Sequence, residues 1–246
     1  MKTIETQFKR IESKYLVSKD KLDYLMHDLK TFLVEDDYPT STITNVYFDT
    51  DDFQIIQDSI AKKHLREKIR MRSYHSQTCL TSPAFLEIKR KDANGVGHKS
   101  RLMTDPTSIF KLLEDGIANK HIADDILIED INALRQRYSE LKPRIFIYYE
   151  RQSLKNKQRI IGHKEHNVRV TIDSQLVFRY QDVVNLDDKS GIPLLDDDFV
   201  IMEIKASAQK PSWLEDILLK HVLEEGKFSK YATAYHKTMT MAGQEV

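Results

Sequence analysis

The sequence predicts an α+β fold, an antiparallel β-tunnel of about eight strands with helices packed outside it. Three observations carry that expectation. Several strand-like segments hold a charged residue at every second position. Strand side chains alternate between faces, so such charges share one face and apolar residues take the other. The segments follow one another with mainly hairpin-like spacing, the sign of antiparallel pairing. Stretches between them show helical periodicity, as at Leu22, Leu25, Met26, Leu29 and Leu33. Strands with one charged face are accommodated when the sheet curls around a charged interior.

Taken in order, residues 7–17 read as a strand and 19–34 as an amphipathic helix. Ile43 to Asp49 reads as a strand, followed by a short helix near 52–61. Strands are expected at 65–75 and 84–91, then a turn at Asn94-Gly95, whose residues tolerate positive φ, and a return strand near 97–103. Pro106 begins a helix, and a second helical stretch covers about 123–140. Strands near 143–152, 157–163 and 167–174 precede a further one near 176–184 and another at 198–206. Pro211 starts a helix running to about 224, Gly226 breaks it, and a last helix begins near Phe228. No repeat or low-complexity linker is visible, and seven Gly and six Pro in 246 residues point to one compact unit, 1–246.

The formal net charge is zero, so anion affinity must come from local clustering, which argues against a nucleic-acid coat protein. Cys79 is the only cysteine, which rules out an intrachain disulfide and fits a reducing compartment. The N-terminal MKTIETQFKR lacks the apolar stretch of a signal peptide, and no apolar run approaches the ~20 residues that span a bilayer. A cytoplasmic protein without direct membrane insertion is expected. A separate membrane partner stays open, and the oligomeric state is not legible.

The charged alternation marks the candidate site. Arg10, Glu12 and Lys14 alternate with Ile11 and Ser13. Arg66, Lys68, Arg70 and Arg72 fall on one strand face, where cations repel unless anions sit among them; a solvated outer face is the bland alternative. Glu87, Lys89 and Lys91 alternate in FLEIKRK, Arg169 lies between Val168 and Val170, and Glu203 and Lys205 flank Ile204. Glu87-x-Lys89 and Glu203-x-Lys205 place a carboxylate and an ammonium on the same side, able to hold a metal and a phosphate together; a surface ion pair is the alternative. Lys227, Lys230 and Tyr231 follow a helix break, where an anion would explain lysines near a helix N-terminus. His163 and His166 read as surface histidines, and Asp196–Asp198 as a polar loop. No zinc spacing, nucleophile elbow or dinucleotide fingerprint occurs.

The ordered series RxExKYLV, YFDT, KIRMRSY, FLEIKRK, YYERQSL, VRVTID, IMEIK and KFSKYATAY resembles the VTC-type polyphosphate polymerase domain of the triphosphate tunnel metalloenzyme (CYTH-like) superfamily. The resemblance covers about residue 8 to about residue 236. It implies that Lys14, Arg70, Arg72, Lys89, Arg151 and Arg169 contact phosphate, that Lys230 is the C-terminal catalytic lysine, and that Glu203 binds Mn²⁺ or Mg²⁺. Glu12 and Glu87 are further candidate metal carboxylates, and Arg10, Arg66, Lys68, Lys91, Lys205 and Lys227 further substrate-binding cations. It also implies transfer of the γ-phosphate of ATP to a growing polyphosphate. Alternatives on the same fold are a triphosphatase and a non-catalytic polyphosphate or nucleotide sensor. Two departures stand out: Arg10 replaces the first carboxylate of the superfamily's ExExK, and Ser59 stands where another phosphate-binding arginine is expected, with Lys62, Lys63 and Arg66 as substitutes.

Overall fold

A computed structural model describes residues 10–92, 96–116, 125–138, 140–157, 168–207 and 209–243. The strands are β1 (Arg10–Ser18), β2 (Leu33–Asp49), β3 (Arg66–Ser73), β4 (Ala84–Lys91), β5 (Gly97–Thr104), β6 (Lys142–Asn156), β7 (Val168–Arg179), β8 (Ile192–Pro193), β9 (Phe199–Ser207) and β10 (Glu225–Gly226). The helices are α1 (Lys19–Phe32), α2 (Gln54–Ile60), α3 (Pro106–Glu114), α4 (Asp125–Arg137), α5 (Ser212–Lys220) and α6 (Lys230–Ala242). The strands form one hydrogen-bonded sheet in the order β10-β1-β9-β7-β6-β2-β3-β4-β5, with β8 paired to β7. Every ladder whose register is described is antiparallel.

The fold class is the α+β class expected, with differences of detail; the strands expected near 167–174 and 176–184 are one, β7. Among the described residues the sheet has ten strands rather than about eight, because β8 and β10 are two-residue pairings too short to leave a periodic signal. The second strand starts at Leu33, straight after α1, and not at Ile43. Its first half, VEDDYPTST, is largely exposed and polar, so apolar alternation could not reveal it. The helix opened by Pro211 ends at Lys220, well before Gly226: Val222 takes a positive φ of 53°, and Gly226 pairs with Lys14 in β10. The Asn94-Gly95 turn, most of the strand expected at 157–163, and His163 and His166 lie outside the described residues.

The chain gathers into two compact units, residues 1–41, 150–175 and 195–228, and residues 42–149, 176–194 and 229–246. In the first unit the apolar faces of β1, β7 and β9 supply Tyr15, Val17, Val170, Ile172, Val200 and Met202. Leu25 and Leu29 of α1 and Leu214, Ile217 and Leu218 of α5 bury them. In the second unit Val46, Phe48, Ile69, Met71, Leu86 and Ile88 line the apolar face of β2, β3 and β4, under Ile55, Ile109, Leu112, Ile131 and Leu134 from α2, α3 and α4. Each fully buried side chain of this kind contributes roughly 1.5–3 kcal/mol. Helices on one face leave the alternate residues of the same strands to the charged face.

Local signals set the ends of the site-bearing elements. Asp105 caps α3, accepting from Ser108 N, with Pro106 in the first turn. Ser229 caps α6. At α2 the residue before the helix, Phe53, is left-handed at φ 60°, and the capping carboxylate comes from Asp49, which accepts from Thr50 N (2.8 Å), Ile55 N (2.8 Å) and Ile56 N (3.0 Å). A further donor to Asp49 is the Tyr231 hydroxyl, 2.6 Å from Oδ2, which ties α6 to the end of β2.

Candidate phosphate and metal sites

In the second unit, register converts the charge alternation of β3 into cross-strand rows. Tyr47, Arg70, Glu87 and Arg101 stand opposite one another on β2, β3, β4 and β5. The next row holds Asn45, Arg72, Phe85 and Met103. On the other side of the Arg70 row stand Lys68, Lys89 and Lys99, and beyond them Arg66 and Lys91. Directly opposed like charges destabilise a sheet, so three lysines in one row call for anions nearby. Glu87 supplies one: Lys99 Nζ lies 2.6 Å from Oε1, Arg101 Nε 3.4 Å from the same oxygen, and Arg70 Nη2 2.6 Å from Oε2.

That carboxylate is buried, with 1% of its side chain exposed. Burial alone would raise its pKa, but the Arg70 and Arg72 charges and the Lys99 hydrogen bond hold it at about 2. Arg72 is buried too; its Nε donates to Asn45 Oδ1 (2.8 Å) and its Nη2 to Tyr149 Oη (3.1 Å). Arg70 Nη1 donates to the Tyr47 hydroxyl at 3.3 Å. Burial disfavours ionisation of that phenol, yet the Arg70, Arg72 and Lys68 charges outweigh it and bring Tyr47 down to about 8. Lys68 Nζ donates to Ser229 Oγ (3.1 Å), and Lys230, the first residue of α6, lies 4.6 Å from the centroid of the Tyr149 ring. Lys89 and Lys91 are exposed. Arg66 is half-buried, and among the described residues its Nε has no hydrogen-bond partner. Ser59 sits in α2, and Lys63 pairs with Asp58 at 2.6 Å.

In the first unit the equivalent rows are Gly226, Lys14, Glu203 and Thr171, and Glu12, Lys205 and Arg169. Arg10 stands opposite Ser207. Lys14 Nζ lies 3.3 Å from Glu12 and donates to the Phe228 carbonyl at 3.2 Å. Glu203 has 11% of its side chain exposed and pairs with Lys205 at 2.7 Å. Burial pushes its pKa up, but Lys205, Lys14 and Arg151 hold it below the usual range. Arg151 grips Asp173 through two bonds of 2.6 and 2.8 Å. Arg169, half-exposed, pairs with Asp36 at 2.7 Å. Lys227 is exposed.

Among the described residues no three His, Cys, Asp or Glu side chains gather at metal-binding spacing. Glu203 and Glu12 nevertheless occupy adjacent rows on one face of the first unit, β1 and β9 being paired through Lys14↔Glu203 and Glu12↔Lys205. One or two carboxylates, completed by water and substrate phosphate oxygens, are the usual donor set for Mg²⁺. The present partners of the two are Lys14 for Glu12 (3.3 Å) and Lys205 for Glu203 (2.7 Å). Both oxygens of Glu87 are already in contact with cations.

Sequence reasoning missed Tyr47, Lys99, Arg101, Tyr149 and Asp173. Lys99 and Arg101 alternate in HKSR, a signal of the same kind as that of β3. Asp173 and Tyr149 carry no local signal, since their partners are supplied by neighbouring strands.

The described strands form one antiparallel sheet of an α+β fold, with cations and embedded carboxylates on one strand face of each unit. The chain belongs to the VTC domain family, whose model matches residues 9–239. No curated protein matches the chain. Solved structures share the fold: a proposed adenylate cyclase from Bacillus halodurans at 17% identity and TM-score 0.50, covering 89% of this chain and 93% of that one, and a proposed adenylyl cyclase from Hippeastrum with a dominant triphosphatase activity, at 16% identity and TM-score 0.50, covering 91% and 93%.

Proposed function

We propose that the protein is a metal-dependent polyphosphate polymerase that transfers the γ-phosphoryl group of ATP to a growing polyphosphate chain. The observation that carries this reading is the face of β3 and β4, where Lys68, Arg70, Arg72 and Lys89 project to one side and Arg72 is held buried by Asn45 and Tyr149. A fork fixed by two neutral acceptors keeps its charge for a ligand and matches phosphate oxygens. VTC family membership supports the polymer as product.

Phosphoryl transfer asks for positioning and charge neutralisation more than for a covalent group. A terminal oxygen of the polyphosphate forms a bond to the γ-phosphorus, the bond from that phosphorus to the β–γ bridging oxygen breaks, and ADP leaves with the electron pair. The acceptor oxygen is already ionised, so no general base is needed. The β3–β4 cations reduce repulsion between the two anions, and Lys14, Arg151, Arg169 and Lys230 are further phosphate-binding candidates. Arg10, Arg66, Lys91, Lys205 and Lys227 would add to the attraction of a polyanion. Glu203, with Glu12, would hold Mn²⁺ or Mg²⁺, which supplies charge neutralisation at phosphate oxygens. ATP and polyphosphate are thus the partners, in a cytoplasmic setting; among the described residues no helix is long and apolar enough to cross a membrane.

The triphosphatase activity of the Hippeastrum protein supports a second reading, hydrolysis of a triphosphate. Incubating pure protein with ATP and either metal separates the possibilities. ADP with acid-precipitable polymer is the expected result. ADP with free orthophosphate alone favours hydrolysis, and polyphosphate binding without turnover favours a sensor.

A further inference from the structure

Arg101 is set apart from the other cations of its face by what surrounds its guanidinium. The carbon at its centre lies 3.7 Å from the centroid of the Phe85 ring, so the plane is backed by an aromatic ring. Its Nε faces Glu87 at 3.4 Å, and its Nη2 donates to the Tyr74 hydroxyl at 3.3 Å. Tyr74 packs edge-on to Phe85 with ring centroids 5.8 Å apart and lies within 6 Å of both Arg72 and Arg101. Phosphate is recognised by the in-plane edges of a guanidinium, and two of those edges are engaged here. With Phe85 against the plane, 38% of the Arg101 side chain remains exposed. A planar cation fixed against an aromatic ring and partly open to solvent is a stacking surface for a nucleobase.

The placement fits a nucleotide. Arg101 occupies the same row as Arg70, two strands away, a separation of about 10 Å at the usual strand spacing. A triphosphate on Arg70 and Arg72 therefore has this surface beside it on the same sheet face.

We propose that Arg101, backed by Phe85 and edged by Tyr74, is the seat on which the nucleobase of a nucleoside triphosphate stacks. The proposal rests on the nucleotide-binding reading above and adds the determinant by which the protein prefers a nucleotide to an inorganic triphosphate. Stacking reads the area of the base more than its hydrogen-bonding edge, so adenine and guanine bind alike and both bind better than uracil.

The test is calorimetric titration of the full chain, without metal, with ATP, GTP, UTP and inorganic tripolyphosphate. Arg101→Lys keeps the charge and removes the plane; Phe85→Leu keeps apolar bulk and removes the backing ring. Thermal melts check that both variants fold. We expect each variant to weaken ATP and GTP about tenfold, to erase the preference for them over UTP, and to leave tripolyphosphate affinity close to wild type. Quenching of ethenoadenosine triphosphate fluorescence should weaken in parallel. Equal loss of ATP and tripolyphosphate in Arg101→Lys would make Arg101 a phosphate contact and overturn the proposal, as would an unchanged ratio of ATP to UTP affinity. If wild type binds tripolyphosphate without preferring ATP over UTP, the base seat alone is wrong. If it binds neither tripolyphosphate nor ATP, the phosphate-binding function falls with it.

Discussion

Arg70 grips Glu87 from directly across the β3–β4 ladder, with Nε 2.8 Å and Nη2 2.6 Å from the same carboxylate oxygen. The pair fixes the guanidinium before any ligand arrives, which lowers the ordering cost of binding. It also places one buried negative charge among several positive ones.

Stability should therefore depend on pH through Glu87. Its pKa is about 2 in the fold against an ordinary 4.5, because the neighbouring cations outweigh burial. A carboxylate depressed in the folded state stabilises it above the unfolded-state value, and that contribution is lost as pH falls through about 2. Urea midpoints should fall between about pH 5 and about pH 3 in wild type and fall less in Glu87→Gln. Equal losses in the two proteins would refute the assignment.

Tyr47 gives a second pH effect on the same row. Its phenol titrates near 8 because Arg70, Arg72 and Lys68 overrule the effect of burial. The phenolate puts a negative charge beside the cations proposed to bind phosphate. Tripolyphosphate affinity should thus weaken as pH rises through about 8, and Tyr47→Phe should flatten that dependence. The tyrosinate ultraviolet difference spectrum locates the titration, which bound tripolyphosphate should move upward.

Replacing the buried fork at Arg72 by a point charge should separate geometry from charge. Arg72→Lys cannot reach Asn45 and Tyr149 together as the guanidinium does at 2.8 and 3.1 Å. We expect tripolyphosphate affinity to drop about tenfold, the equivalent of one charge-assisted contact, with the melting temperature reporting the structural part of the change.

Glu203→Gln should abolish most metal-dependent turnover while leaving metal-free polyphosphate binding intact or tighter. Glu203 adds negative charge to the face proposed to take the anion, and its present partner is Lys205 at 2.7 Å. The carboxylate is useful there only with a divalent cation on it. Turnover rates with Mn²⁺ and Mg²⁺, set beside titrations without metal, check the prediction; a variant with wild-type turnover would contradict it.

Tyr231→Phe should cost about 1–2 kcal/mol by removing the 2.6 Å bond to buried Asp49. Asp49 keeps its three backbone donors, which limits the loss. For a chain of this size the melting temperature should fall by a few degrees, about 2–4 °C per kcal/mol. Calorimetric melting measures it directly.

The sequence by itself determined the faces. Arg66, Lys68, Arg70 and Arg72 lie on one side of β3 because strand side chains alternate, whatever the strand pairs with. The apolar periodicity of α1 and the Pro106 start of α3 were local for the same reason. Tertiary structure decided the partners. Arg70 meets Glu87 across 17 residues of sequence, Arg151 meets Asp173 across 22, and Tyr231 meets Asp49 across 182. No spacing rule reaches those pairs, since they follow from register and from where a C-terminal helix docks. The same holds for the polar half of β2, which no apolar alternation marks, and for Arg101, whose guanidinium finds Phe85 only once β4 and β5 are paired. Periodicity reports the direction of a side chain, and only the assembled sheet sets what lies beside it.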